Sequence, residues 1–128
     1  MATRDLIVYQ KTFDYCRWQR SIVIRFAKVH KYSIGIELQK EGIALLKWIV
    51  RANVSRQYRA VYIEEALGCV HALLVNIRFG WDARDSGGIS TKQYHCAADM
   101  LLEIERMLSG WLKQTLPKIV VEHQSSAG

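Results

Sequence analysis

Apolar residues recur at alternating three- and four-residue steps through most of the chain, the period of one face of an α-helix. Two stretches show it cleanly. Ala60, Ile63, Leu67, Val70, Leu74, Ile77 and Trp81 form one seam, and Tyr94, Ala97, Leu101, Ile104, Leu108 and Trp111 form another. Ile34, Leu38, Leu45, Ile49 and Ala52 mark an earlier helix, with Gly42 as a gap in its seam. Leu6, Tyr9, Phe13, Cys16, Val23 and Ala27 mark the first helix, with Arg20 intruding. The spacing predicts helices over about 4–28, 34–53, 58–84 and 90–115. Four helices of this length with short connections read as an all-α, up-down-up-down antiparallel four-helix bundle over residues 1–117, followed by a flexible tail at 118–128.

The connections carry their own signals. Lys28 to Tyr32 reads as a polar link, with Ser33 as N-cap and Glu37 in the first turn of the next helix. Asp85-Ser86-Gly87-Gly88 reads as a turn, and Ser90 with Gln93 as a capping box. The lone Pro117 follows the end of the last helix.

Two helices show apolar residues beyond one buried face. At about 100° per residue, Tyr15, Trp18, Ile22 and Phe26 form a second stripe on the first helix. Ala72, Val75 and Phe79 lie opposite the seam of the third. A lone bundle needs one buried face per helix, so these stripes point to self-association, with Tyr15, Trp18, Ile22, Phe26, Val75 and Phe79 at the interface. Register drift along the first helix, with one stripe serving the core early and the other late, is the alternative.

Charge changes the picture more than composition does. Residues 1–59 hold 12 Lys and Arg against 4 Asp and Glu, whereas residues 60–128 hold 6 against 8. A basic front half predicts an anionic partner, most naturally nucleic acid. On the second helix Lys40, Lys47 and Arg51 share an arc opposite the seam. Lys28, His30, Lys31, Arg56 and Arg59 surround the helix ends, and Lys11, Arg17 and Arg25 lie off the first helix's seam. Tyr32, Trp48 and Tyr58 stand near these charges and could stack on unpaired bases. An acidic protein is the alternative partner for the same surface.

Competing chemistry is thin. The three cysteines, Cys16, Cys69 and Cys96, sit on different helices and lack zinc-site spacing, so each reads as a small core residue. No Glu-x-x-His pair suggests a di-iron centre, and Gly87-Gly88 has no following Lys-Ser/Thr for a phosphate loop. Glu64-Glu65 and Glu103-x-Glu105 read as solvated or ion-paired helix faces. The expectation is a noncatalytic protein without metal or cofactor. It is expected in the cytoplasm, without a membrane span, because the stretch from Ala66 to Trp81 reads as a doubly buried helix.

The last helix opens Lys92-Gln93-Tyr94 and continues Glu103-Ile104-Glu105-Arg106-Met107-Leu108-Ser109-Gly110-Trp111-Leu112-Lys113. Earlier come Phe26-Ala27-Lys28, His30-Lys31-Tyr32-Ser33-Ile34-Gly35 and Ile77-Arg78-Phe79. In this order and spacing the segments resemble the accessory variability determinant (Avd) family of diversity-generating retroelements, over residues 6–115. That family is related in fold to bundles encoded within intervening sequences of 23S rRNA genes. The resemblance implies a four-helix bundle assembled as a homopentameric barrel in a bacterial or phage-encoded system. It implies a noncatalytic partner of a reverse transcriptase that binds nucleic acid, template RNA or RNA–DNA hybrid, during mutagenic cDNA synthesis. Arg78 carries over by motif as a contact to polymerase or RNA. The chain departs from the pattern at Leu74, where the family often has Arg, at Ala27 in place of Pro, and at Glu105 and Ser109 in place of glycines.

Overall fold

The structure, a computed structural model, describes residues 3–116; the expected tail at 118–128 lies outside the described residues. The chain is all-helical: α1 (Thr3–Val23), a single turn α2 (Lys28–Lys31), α3 (Ile34–Val54), α4 (Arg59–Asp82), a 3-10 turn (Arg84–Ser86) and α5 (Thr91–Thr115). Each long helix packs on its neighbours in sequence, and α5 returns to α1, closing a four-helix ring. Contacts run in opposite senses along each pair. Gln19 meets Leu38 and Cys16 meets Gly42 between α1 and α3. Trp48 meets Tyr62 between α3 and α4, and Trp81 meets Tyr94 while His71 meets Glu105 between α4 and α5. Short loops and alternating apolar faces together leave this antiparallel arrangement as the compact solution.

The seams of α3 and α5 are the ones the periodicity marks. Leu38, Leu45, Ile49 and Ala52 are buried on α3, as are Ala97, Leu101, Ile104, Leu108 and Trp111 on α5. Each large side chain removed from water in this way stabilises the fold by about 1.5–3 kcal/mol. The start of α5 is the expected capping box: Gln93 N donates to Ser90 Oγ at 3.1 Å, and Ser90 N donates to Gln93 Oε1 at 3.0 Å. Ser33 does not cap α3; its hydroxyl donates back to Val29 O at 2.7 Å.

On the first helix and the link after it both stripes contribute to the core, Val23 from the expected seam and Tyr15, Ile22 and Phe26 from the second stripe. Tyr15 is fully buried (0 % exposed), Ile22 and Phe26 are buried, and Trp18 is half-buried against the same core. Tyr15, Ile22 and Phe26 are therefore not free for a subunit interface, because the chain's own core takes them. The core face also includes Thr12 and Gln19, whose polarity conceals it in the sequence. Thr12 Oγ1 donates to Val8 O at 2.8 Å. Tyr15 Oη donates to Gln19 Oε1 at 2.6 Å, and Gln19 Nε2 donates to Leu38 O at 2.8 Å. Every polar group in that chain is satisfied, which removes the desolvation penalty of burying it. The gap at Gly42 is filled by α1, since a Cβ there would sit 3.1 Å from Cys16 Sγ.

α1 also stops at Val23, short of the predicted 28. Ala27 N turns away to donate to Gly87 O at 2.9 Å, and Gly87, at φ +91°, packs against Ala27. This contact ties the link after α1 to the loop before α5, with α2 and the 3-10 turn side by side.

α4 buries Ile63, Ala66, Cys69, Val70, Leu73 and Ile77, a face rotated from the expected seam, with Ala60, Leu67, Leu74 and Trp81 at its half-buried margin. Its outer face stays open, with Val75 57 % and Phe79 63 % exposed, so the expected doubly buried helix is buried on one side only. By length and composition α4 does meet the requirement for a bilayer span, with a mean hydropathy of 1.4 over its most apolar 18 residues. In the bundle that same helix supplies core to both α3 and α5.

Candidate nucleic-acid interface

The second long helix, α3, sets out its charges by periodicity alone. Lys40, Lys47 and Arg51 are exposed and lie on the side away from the buried Leu38, Leu45 and Ile49. Eleven residues separate the first from the last, about 16 Å of helix. Among the described residues the ion pairs are Lys11–Glu103 at 2.7 Å and His71–Glu105 at 3.3 Å, so none involves this ridge. Arg51 lies over the Trp48 ring at 4.6 Å, and Trp48 continues to Tyr62 at 5.6 Å and on to the exposed Tyr58 at 6.0 Å from Tyr62. The ridge therefore ends beside an aromatic run, the pairing of cations with stackable rings that suits single-stranded nucleic acid.

The other expected contacts divide. Arg17, Arg25, Lys28 and Arg56 are exposed and Lys31 is half-buried, all without an ion-pair partner among the described residues. His30 Nε2 sits 3.0 Å from Ser86 Oγ, bridging α2 to the 3-10 turn, which places Lys28 and Lys31 at the same bundle end as Arg84. Lys11 is not free: its ammonium holds Glu103, and that hydrogen bond keeps the carboxyl below its ordinary titration range. Arg59 is not free either. Its Nε donates to Ala52 O at 2.8 Å and its Nη2 to Asn53 O at 3.0 Å, satisfying the last carbonyls of α3, and it lies over Trp111. Lys11 and Arg59 are thus each engaged within the chain, Lys11 with Glu103 and Arg59 with the end of α3.

Arg78 is exposed and lies 4.9 Å from the Trp81 ring. The structure adds Arg84, which the sequence reading passed over: it lies 4.4 Å from the same ring, and Tyr94 stacks on Trp81 at 5.1 Å. The signal was present as Arg-x-x-Trp-x-x-Arg, which puts both arginines within one turn of the indole.

Between α1 and α3 runs a groove of about 540 Å³ lined by Phe13, Cys16, Arg17, Arg20, Ile43 and Leu46 among others. A second depression of about 350 Å³ shares Leu46 and extends past Tyr9 and Val50 to Lys47 and Arg51. Neither has an acidic residue in its lining. Phe13 is 39 % and Ile43 53 % exposed. Of the stripe expected to be the core seam of α1, Val23 is fully buried and Tyr9 and Cys16 pack against the core at one edge, while Phe13 stands open in a cation-rimmed groove.

The thiols differ in state. Burial pushes Cys16 up to about 11, and burial with the nearby Glu41 pushes Cys69 up to about 12, so both stay protonated at neutral pH. Cys96, expected in the core, is exposed on α5. Among the described residues no group of three or more His, Cys, Asp and Glu side chains is placed to hold a metal ion. No protein-family model, curated protein or solved structure matches the chain.

Proposed function

We propose that this chain is a noncatalytic, self-associating helical adaptor that binds nucleic acid and joins it to a reverse transcriptase, in the manner of the Avd proteins it resembles. The observation that carries the nucleic-acid part is the unpaired ridge of Lys40, Lys47 and Arg51, set beside Trp48 and continued by the cations of the adjoining helix ends. The polymerase and the pentameric state rest on the sequence resemblance, with Arg78 as the partner contact and the open Val75–Phe79 face as the self-association surface.

Binding of RNA or an RNA–DNA hybrid is expected to weaken steeply with salt. Replacing Lys40, Lys47 and Arg51 together by Gln removes up to three phosphate contacts, and so lowers the slope of log K against log salt by about 2. An affinity that does not change across a salt titration overturns the nucleic-acid part. A reverse-transcriptase gene with a template and variable repeat beside this gene is the expected genomic setting. The second reading, a module for an acidic protein, is favoured by the apolar floor of the α1–α3 groove. Pull-down with and without nuclease separates it, since only a protein-mediated complex survives digestion.

A further inference from the structure

The chain carries two unpartnered surfaces that complement each other. One is the α1–α3 groove, with Phe13, Ile43 and Leu46 along its floor and Arg17 and Arg20 on its α1 side. The other is the outer face of α4. Val61, Gly68, Ala72, Val75 and Phe79 fall there at steps of seven, four, three and four, one straight seam on a helix. Exposed Glu64 and Asp82 flank that seam on one side, with exposed His71 and Arg78 further round, and exposed Glu65 flanks it on the other. A Cβ at Gly68 would meet nothing within 4 Å, so the middle of the seam is flat and open. The groove is apolar with cations and no acids in its lining, and the α4 face is apolar with acids beside it.

We infer that the groove of one copy receives α4 of a second copy, head to tail. The inference rests on the self-association in the proposed function and does not need nucleic-acid binding. The groove's charge and shape fit a helix with an apolar seam and acidic flanks, and this chain displays one. Phe13, Ile43 and Leu46 give the groove an apolar floor suited to the side chains of a helix, and Lys40, Lys47 and Arg51 lie outside its lining, so the ridge stays open to RNA. Because the two surfaces differ, the contact is heterologous and repeats around a ring when the rotation closes.

Two single variants test it. Gly68→Trp spoils only the α4 face, and Ile43→Glu spoils only the groove; both positions are exposed, and circular dichroism checks that each variant keeps its helices. By sedimentation, wild type is expected as an oligomer and each variant alone as a monomer. Mixed in equal amounts, the variants are expected to form a dimer and stop there, because one intact groove and one intact α4 face remain and the other two are spoiled. Variants that stay monomeric when mixed, or a wild-type oligomer whose size neither variant changes, overturn the pairing while leaving self-association by another surface standing. A wild type that is monomeric at tens of micromolar overturns the pairing and the self-association together.

Discussion

α3 and α5 carry three cations each and treat charge in opposite ways. On α5, Lys92, Arg106 and Lys113 are interspersed with Asp99, Glu103 and Glu105, and two of those acids reach neighbouring helices, Glu103 to Lys11 and Glu105 to His71. On α3, Lys40, Lys47 and Arg51 share one arc and meet no acid among the described residues, while Glu37 and Glu41 sit toward α4. On α5 the acids make the cross-helix contacts, while its own three cations, like those of α3, have no ion-pair partner among the described residues. The α3 cations meet no acid among the described residues, Arg51 alone having an internal contact, with the Trp48 ring, and a set of like charges left close together costs stability through mutual repulsion unless an outside anion offsets it. The two helices thus carry equal numbers of cations and differ in whether acids share the same surface.

The largest effect should come from the apolar side of the same contrast. Leu101→Ala on α5 empties a fully buried site and should cost about 2–5 kcal/mol in urea unfolding, whereas Ile43→Ala on α3, at an exposed groove position, should cost less than about 1 kcal/mol. Equal losses would mean that the groove is part of the core and not an open surface. Next comes the tie between the two halves. Gly87→Ala forces a side chain into a left-handed residue and into Ala27, whose Cβ would be 2.6 Å away, and should cost at least about 1–2 kcal/mol in thermal or urea unfolding. A neutral result would show that the loop before α5 moves freely relative to the link after α1.

The smallest effect probes the ion pair. Glu103 titrates below its ordinary range because Lys11 holds its charged form, so the contribution is present above the unfolded value of about 4.3 and is lost as pH falls through the lower folded value. Lys11→Met should therefore lower the urea midpoint slightly at neutral pH and not at all at strongly acid pH. A gap that stays constant across that range would mean that Lys11 contributes through its aliphatic stem and not its charge.

How much of this was legible beforehand varied by helix, for physical reasons. α3 and α5 each bury the stripe that periodicity marks, although α3 also leaves Ile36, Ile43, Val50 and Val54 exposed on another face. α1 defeats that reading because Thr12 and Gln19 are buried and satisfied by hydrogen bonds to Val8 O and Leu38 O, while Phe13 and Ile24 are left exposed. Its hydrophobic residues and its core residues overlap only in part: Val8, Tyr15, Ile22 and Val23 belong to both. The ridge was legible because its members are seven and four residues apart on one helix. The withdrawal of Lys11 and Arg59 was not: one depends on a glutamate 92 positions away, and the other on a guanidinium turning back to carbonyls at the end of the preceding helix. The groove needed two helices in register, which no single stretch of sequence specifies.

The most direct measurement sets the two helices against each other at constant charge. Lys40, Lys47 and Arg51 are replaced together by Gln in one protein, and Lys92, Arg106 and Lys113 in the other, and binding of labelled single-stranded RNA is followed by anisotropy across a salt series. The α3 variant is expected to lose affinity at least tenfold at moderate salt and to show a shallower salt slope, while the α5 variant stays near wild type. Equal losses in both would mean that RNA answers only to net charge, and retention of wild-type binding by the α3 variant would contradict the assignment of its ridge as the nucleic-acid surface.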